Sequence, residues 1–205
     1  MDLVTVAERP DLTERAWERT SDEILARARS VPVRSDGSVD NLPAGIDGAI
    51  ARAFEERAAN VLCALVIMVP RDVQGRGLSA LAVRGMLDLA RRHGLRGLIA
   101  PVRPSWKERY PLVPIERYAD WRRDDGLLFD PWMRVHERLG ATILKPEPHS
   151  LRITGTVADW EGWTEMAFPE SGDYWFPRGL ATLAIDREAD RGSYWEPNVW
   201  IRHRT

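Results

Sequence analysis

The 205-residue sequence predicts one α/β domain, and three observations carry that reading. Residues 61–69 are continuously apolar and stop at Pro70, as in a strand buried on both faces. Residues 77–93 set Leu78, Leu81, Ala82, Gly85, Met86 and Leu89 at helical spacing, and Gly94 closes the run as a helix-ending glycine. Residues 98–102 are again continuously apolar. The order is therefore strand, glycine-bearing loop, helix, strand.

The remaining elements are read in chain order. Residues 3–6 suit a short strand, and residues 11–19, after Pro10, are polar and favour helix. Residues 23–33 are open between helix and strand: Ala, Leu and Arg favour helix, but the stretch ends in Val31-Pro32-Val33 before the turn Ser35-Asp36-Gly37. A loop at 41–45 leads to a helix at 46–58 with Ile46, Ala49, Ile50, Ala53 and Phe54 on one face. Residues 104–129 form a long connection with several prolines and the turn Asp124-Asp125-Gly126; connections of this length are often functional. A short helix at 130–139 has Asp130 as N-cap, Pro131 at its first position and Gly140 past its end. Residues 141–144 and 151–157 read as two strands. Eight of the nine tryptophans, Trp106 to Trp200, fall in the second half. From 158 to 205 Trp, Pro and Gly recur irregularly, which reads as loops and short strands wrapped on the body.

A net charge of −2 lacks the basic surplus of a nucleic-acid binder. The single cysteine, Cys63, excludes an internal disulfide and sits in the apolar run, where a buried hydrophobe is expected rather than a nucleophile. Four dispersed histidines and one cysteine give no metal-ligand spacing, so no metal is expected. The polar, acidic N-terminus is no signal peptide, and the run at 61–69 is too short to span a bilayer. The expectation is a soluble cytoplasmic protein. Residues 186–190 read as a solvated charge run, His149 and His203 as loop or tail residues, and Glu137 and Arg138 as a solvated helix face.

The loop runs Val69-Pro70-Arg71-Asp72-Val73-Gln74-Gly75-Arg76-Gly77-Leu78-Ser79. A glycine turn feeding a helix leaves backbone N–H groups and the positive dipole end free to hold an anion such as a pyrophosphate. It lacks both the Gly-x-Gly-x-x-Gly pattern and a Walker ending. Gln74-Gly75-Arg76-Gly77-Leu78-Ser79 after a buried strand resembles the acyl-CoA signature of the GNAT (N-acetyltransferase-like) superfamily, with Ser79 where that family has Gly or Ala. The resemblance implies that Gln74, Gly75, Arg76, Gly77, Leu78 and Ser79 hold the phosphates. It also implies that Ile67, Met68 and Val69 hydrogen-bond the pantetheine arm. The helix end Val135-His136-Glu137-Arg138-Leu139-Gly140-Ala141 resembles that family's Leu-Tyr-x-x-Leu-Gly-Phe, placing His136 where a Tyr acts as general acid on the departing thiolate.

A narrower resemblance rests on Val102-Arg103-Pro104-Ser105-Trp106-Lys107, Tyr110-Pro111-Leu112, Phe129-Asp130-Pro131-Trp132, Phe168-Pro169-Glu170-Ser171-Gly172 and Glu196-Pro197-Asn198-Val199-Trp200. These strings are similar to GNAT-like loading domains of polyketide synthases and related stand-alone bacterial proteins. Those domains use a His and a Thr. The His matches His136; the Thr most nearly matches Ser105, a departure that puts decarboxylation in doubt. The resemblance implies an α/β GNAT-like domain with a mixed, mostly antiparallel sheet flanked by helices and a shortened N-terminal part (1–59). An acyl-CoA-binding core at 60–157 then carries an insertion at 103–129, and a C-terminal extension covers 158–205. It favours strand for 23–33 and implies a splayed strand pair accepting pantetheine. The expected function is transfer of an acyl group from acetyl-CoA or another acyl-CoA to a small-molecule amine, with His136 and Ser105 as catalytic residues. The alternatives are a transferase whose donor or acceptor sits on an acyl carrier protein and a pantetheine-binding protein without catalysis. Trp106, beside Ser105, is a candidate for lining an acyl pocket.

Overall fold

Strand-forming and helix-forming stretches alternate along the chain, and the computed structural model describes them over residues 19, 20, 23–55 and 58–205. The strand read at 3–6 lies outside the described residues, as does the stretch at 11–19 apart from Arg19. The strands are β1 (Arg19–Thr20), β2 (Glu23–Ile24), β3 (Arg27–Val33), β4 (Val61–Met68), β5 (Gly97–Val102), β6 (Thr142–Gly155), β7 (Gly172–Tyr174), β8 (Leu183–Asp186) and β9 (Arg191–Arg204). The helices are α1 (Gly45–Glu55), α2 (Leu78–Arg92), α3 (Ile115–Ala119), α4 (Pro131–Arg138) and α5 (Val157–Thr164). β3 to β9 make one mixed sheet in the order β3-β4-β5-β9-β8-β7, with β6 along the other edge of β9. Only β4 and β5 run parallel; β3–β4, β5–β9, β6–β9, β7–β8 and β8–β9 are antiparallel.

The period-2 alternation of strand side chains sorts the apolar runs onto two faces. Leu62, Ala64, Leu98, Ala100, Val102, Val199 and Ile201 meet the buried sides of α2 and α3 and Met133 of α4. Val61, Cys63, Ile99 and Trp200 point the other way and meet Ala49 of α1 together with Val31 and Val33. Burying a Leu or Ile such as Leu62, Leu98 or Ile201, none more than 1% exposed, contributes about 1.5–3 kcal/mol each. α2 buries Leu78, Ala82, Val83, Met86, Leu87, Leu89 and Ala90 and stops where Gly94 turns left-handed at φ 65°.

The stretch 23–33 is strand, as the resemblance favours, at Glu23–Ile24 and at Arg27–Val33, the latter antiparallel to β4. Three other readings change. The two strands read at 141–144 and 151–157 are one, β6, whose register on β9 slips between Ile143 and Lys145 and again between Glu147 and Leu151. Val157 instead opens α5 behind a Thr156–Asp159 capping box. The third correction is the largest: the C-terminal stretch is not wrapped on the body, because β9 lies inside the sheet between β5 and β6. Pro197 hides this strand, since proline removes a ladder donor. It is tolerated because β9 pairs with β5 only from Val199 onward, and Pro197 has no register partner on β6.

The 104–129 connection is ordered by its own aromatic cluster. Tyr110, Tyr118, Trp121 and Phe129 meet edge-on or tilted, with centroids 5.0–6.2 Å apart. Asp130, 2% exposed, ties this cluster to α4 by accepting from the N–H groups of Trp106 (2.7 Å), Trp132 (2.9 Å) and Met133 (3.1 Å) and from the Tyr118 hydroxyl (2.9 Å). The Lys107 ammonium is buried with it and donates to the carbonyls of Tyr110, Pro111 and Leu180; burial pushes it down to about 8.

Candidate functional site

The central feature of the site is a gap in the sheet. β4 and β5 pair only at Leu62↔Leu98 and Cys63↔Ile99. Beyond these rungs β4 stays with β3 as far as Met68, and β5 stays with β9 as far as Val102. The two strands part into a wedge between residues 64–68 and 100–102. A β-bulge marks the parting: Arg29 pairs with Val66 and Ser30 with Ala64, leaving Leu65 as an extra residue. Exposure follows. Residues 61–64 are buried, 65–67 are half-buried and Met68 is 44% exposed, so the reading of a strand buried on both faces holds only for its first half. The β5-side backbone groups of the second half lack a strand partner and can receive an extended ligand.

The glycine loop stands at the mouth of this wedge. A 3-10 turn at Arg71–Val73 is anchored by Val73, which packs with Leu25, Ala26, Leu78 and Val69. The Gln74 amide donates back to the Val69 carbonyl (3.0 Å), closing the loop. Gly75 (φ 79°) and Gly77 (φ 80°) are both left-handed with open space where a Cβ would sit, so backbone conformation rather than crowding requires glycine. Gly77 caps α2 without any side-chain hydrogen bond, and the exposed Arg76 stands beside it. Uncapped N–H groups, the dipole and an arginine form a cradle for a phosphate or pyrophosphate.

His136 and Ser105 lie at opposite ends of α4. The Ser105 hydroxyl is exposed and donates to Asp130 at 3.4 Å. His136 is 2% exposed, with Trp132 against its ring at 4.2 Å and its Nδ1 2.9 Å from Nε2 of His203 on β9. Burial, seconded by His203, pushes His136 down to about 3. Burial also lowers His203, against the pull of the Leu139 carbonyl. Two neutral rings thus share one proton across the 2.9 Å contact. The outer nitrogen of His136, Nε2, is buried without a hydrogen-bond partner. The sequence reading placed His203 in the tail; only the register Leu98↔His203 reveals its place.

Other expectations resolve locally. Glu137 is not a solvated residue: it accepts from the Leu128 N–H (2.9 Å) and from Arg122 (3.0 Å), pinning the insertion to α4. Trp106 packs edge-on to Phe129 at 5.5 Å with the Arg109 guanidinium over its ring at 4.6 Å. The Cys63 thiol is fully buried and pushed up to about 12, an unreactive thiol. Among the described residues no group of three or more His, Cys, Asp or Glu is placed to hold a metal, and no helix is long and apolar enough to cross a membrane.

Comparison with known proteins fits this geometry. No protein-family model matches the chain. It is 30% identical to the arginine N-acetyltransferase avaD of Aspergillus versicolor over a 217-residue alignment that covers 94% of this chain and 74% of that protein. Its fold is similar to the loading GNATL domain of CurA from Lyngbya majuscula, with TM-score 0.58 and 18% identity over 91% of this chain and 73% of that one. It is similar also to the GphF GNAT-like decarboxylase in complex with isobutyryl-CoA, with TM-score 0.57 and 15% identity over 92% and 76%. The sheet that parts at a bulge, the left-handed glycine loop behind it and these relatives agree, and the chain belongs to the GNAT superfamily of acyltransferases, with a fold like that of polyketide synthase loading domains.

Proposed function

We propose that the protein transfers an acyl group from acyl-CoA to a small-molecule amine. The wedge between β4 and β5, opening onto the glycine loop, carries this reading. The pantetheine arm, with its amide groups, would lie along Ile67, Met68 and Val69 as a substitute strand, and its pyrophosphate on Gln74, Gly75, Arg76, Gly77, Leu78 and Ser79. The thioester would then sit near the apex, where a free N–H of β4 polarises its carbonyl. The amine nitrogen attacks that carbonyl, the C–S bond breaks, and the thiolate leaves with the proton released by the amine.

His136 acts in this scheme as a neutral ring. The rung Leu62↔Leu98↔His203 sets the pair at the closed end of the wedge, one rung below the last β4–β5 contact. Rungs are roughly 3.3 Å apart, so a group at the apex is within reach of a ring on the α4 face. A ring pushed down to about 3 resists protonation, so it serves as a neutral hydrogen-bond partner through its single N–H or its bare nitrogen, and not as a standing imidazolium acid. Ser105, tied to Asp130, would orient the insertion beside the site. The 30% identical relative, an arginine N-acetyltransferase, supports an amine acceptor over a thiol.

Calorimetry with acetyl-CoA, desulfo-CoA and an acyl-loaded carrier protein tests the reading on wild type and Gly77→Glu. Binding of the CoA compounds, abolished by the glutamate, is the expected result. Binding of the carrier protein alone would move the donor onto a carrier, as in a loading domain. No binding to any of the three would remove the transferase reading.

A further inference from the structure

A second gap lies on the far side of β5. One edge of β9 is paired to β8 over residues 191–194 and to β5 over 199–204, leaving 195–198 without a strand on that edge. A cavity of about 350 Å³ opens beside this gap, within the range of small-molecule sites. Trp160, Trp163, Phe176 and Tyr194 wall it, and Arg103 and Glu196 stand at one end. Arg103 directly follows Val102, the last residue of the strand that bounds the wedge, so the cavity adjoins the proposed acyl site.

The aromatic walls are seated by glycines. Gly155 and Gly192 face each other across β6 and β9; a Cβ on the first would meet the Trp163 ring at 2.8 Å, and on the second the Trp160 ring at 2.2 Å. A Cβ on Gly179 would meet the Phe176 ring at 2.6 Å. The polar end is equally fixed. Arg103 Nε donates to Glu196 Oε2 at 2.9 Å and Nη2 donates to the Arg178 carbonyl at 2.7 Å. These bonds use neither Nη1 of Arg103 nor Oε1 of Glu196. A cation and a carboxylate thus stand side by side at the end of an aromatic box. With Arg178 also lining it, the pocket carries one more positive than negative side chain.

We infer that this cavity is the acceptor subsite and that it takes a free α-amino acid: carboxylate on Arg103 and Arg178, amino group on Glu196, side chain against the aromatic walls. A guanidinium or other cationic side chain would gain further from those aromatic faces. The inference rests on the transferase reading, of which it names the acceptor class.

The test titrates wild type, Glu196→Gln and Trp163→Ala, each saturated with desulfo-CoA, with the twenty common L-amino acids and with agmatine, which is arginine without its carboxylate. Glu196→Gln keeps an acceptor for Arg103 but loses the charge, and Trp163 is 57% exposed, so both variants are compatible with folding. At least one amino acid should bind wild type. It should bind at least tenfold more weakly to each variant, with acetyl-CoA binding unchanged in both. If arginine is among the ligands, agmatine should bind at least tenfold more weakly than arginine. Acetyl-CoA binding with no amino acid bound, or with binding equal in all three proteins, overturns the subsite and leaves the transferase reading standing. Failure of wild type to bind acetyl-CoA or desulfo-CoA overturns that reading instead, and the acceptor assignment with it.

Discussion

Acidification should destabilise the protein through its buried histidine pair before the carboxylates contribute. In the folded state His136 is pushed down to about 3, whereas in the unfolded chain it titrates near the ordinary value of 6.5. Between those values the unfolded state binds a proton that the folded state refuses. Stability contributed by the neutral ring is therefore complete above pH 6.5 and is lost as pH falls toward 3. At pH 5 the difference is about 1.5 pH units, or about 2 kcal/mol from His136 alone. For a chain of this size that lowers Tm by roughly 4–8 °C. His203, lowered in the same direction, adds to the slope. Asp36 and Asp159, whose carboxyls are held below 3.8, lose their contribution only at still lower pH, outside a pH 5–7 window. Thermal melts at pH 7, 6 and 5 should show wild type losing about 2 kcal/mol more than His136→Gln, whose amide cannot titrate. Equal slopes for the two proteins would refute the neutral pair, and with it the neutral hydrogen-bonding role proposed for His136.

Three further outcomes follow from the geometry. Asp130→Ala removes the acceptor for three backbone N–H groups and the Tyr118 hydroxyl; urea unfolding should show a loss of about 3 kcal/mol or more, with Trp fluorescence reporting loosening of the insertion. Gly77→Ala forces a side chain into the left-handed region at about 1–2 kcal/mol and should weaken acetyl-CoA binding less than Gly77→Glu does, which separates backbone strain from charge repulsion. Cys63 should stay unmodified by a thiol-reactive disulfide reagent in the native protein at pH 8 and react stoichiometrically in 6 M guanidinium; rapid native-state labelling would contradict its burial.

What was legible in the sequence is what is encoded locally. The 61–102 unit was readable because apolar runs, helical spacing and glycines at fixed offsets are short-range signals, and Asp130 with Pro131 announced α4. The glycine loop could be located for the same reason. The splay of its wedge was legible only through the family resemblance, because the parting of β4 from β5 is defined by rungs that stop, and a missing rung leaves no mark in the local pattern. β9 was missed for a related reason. Its Pro197 looks like a breaker unless one knows that the β5 ladder begins only at Val199. His203 then stayed in an apparent tail, 67 residues in sequence from the histidine it touches. Glu137 was misread because its partners, Arg122 and Leu128, come from a connection with no periodicity to place them.

The two proposed sites lie along β5, whose six residues stand between the eight of β4 and the fourteen of β9. Their gaps differ in origin: on the β4 side β5 runs on to Val102 after the last shared rung and the two strands diverge, whereas on the β9 side the ladder stops because β5 ends. On the β4 side the deficit begins at the Leu65 bulge and makes a slot with free main-chain donors, suited to an extended amide-bearing arm. On the β9 side it falls at residues 195–198, where Pro197 removes one donor. There the side chains of Arg103 and Asn198 come in from either edge, Asn198 donating to the Pro101 carbonyl at 3.1 Å. Donor and acceptor would then approach one carbonyl from opposite flanks of a single strand end. A β5 lengthened past Val102 would close the β9-side gap alone, so a variant that restores pairing there should lose amino-acid binding and keep acetyl-CoA binding. Loss of both would show that the two sites share one origin.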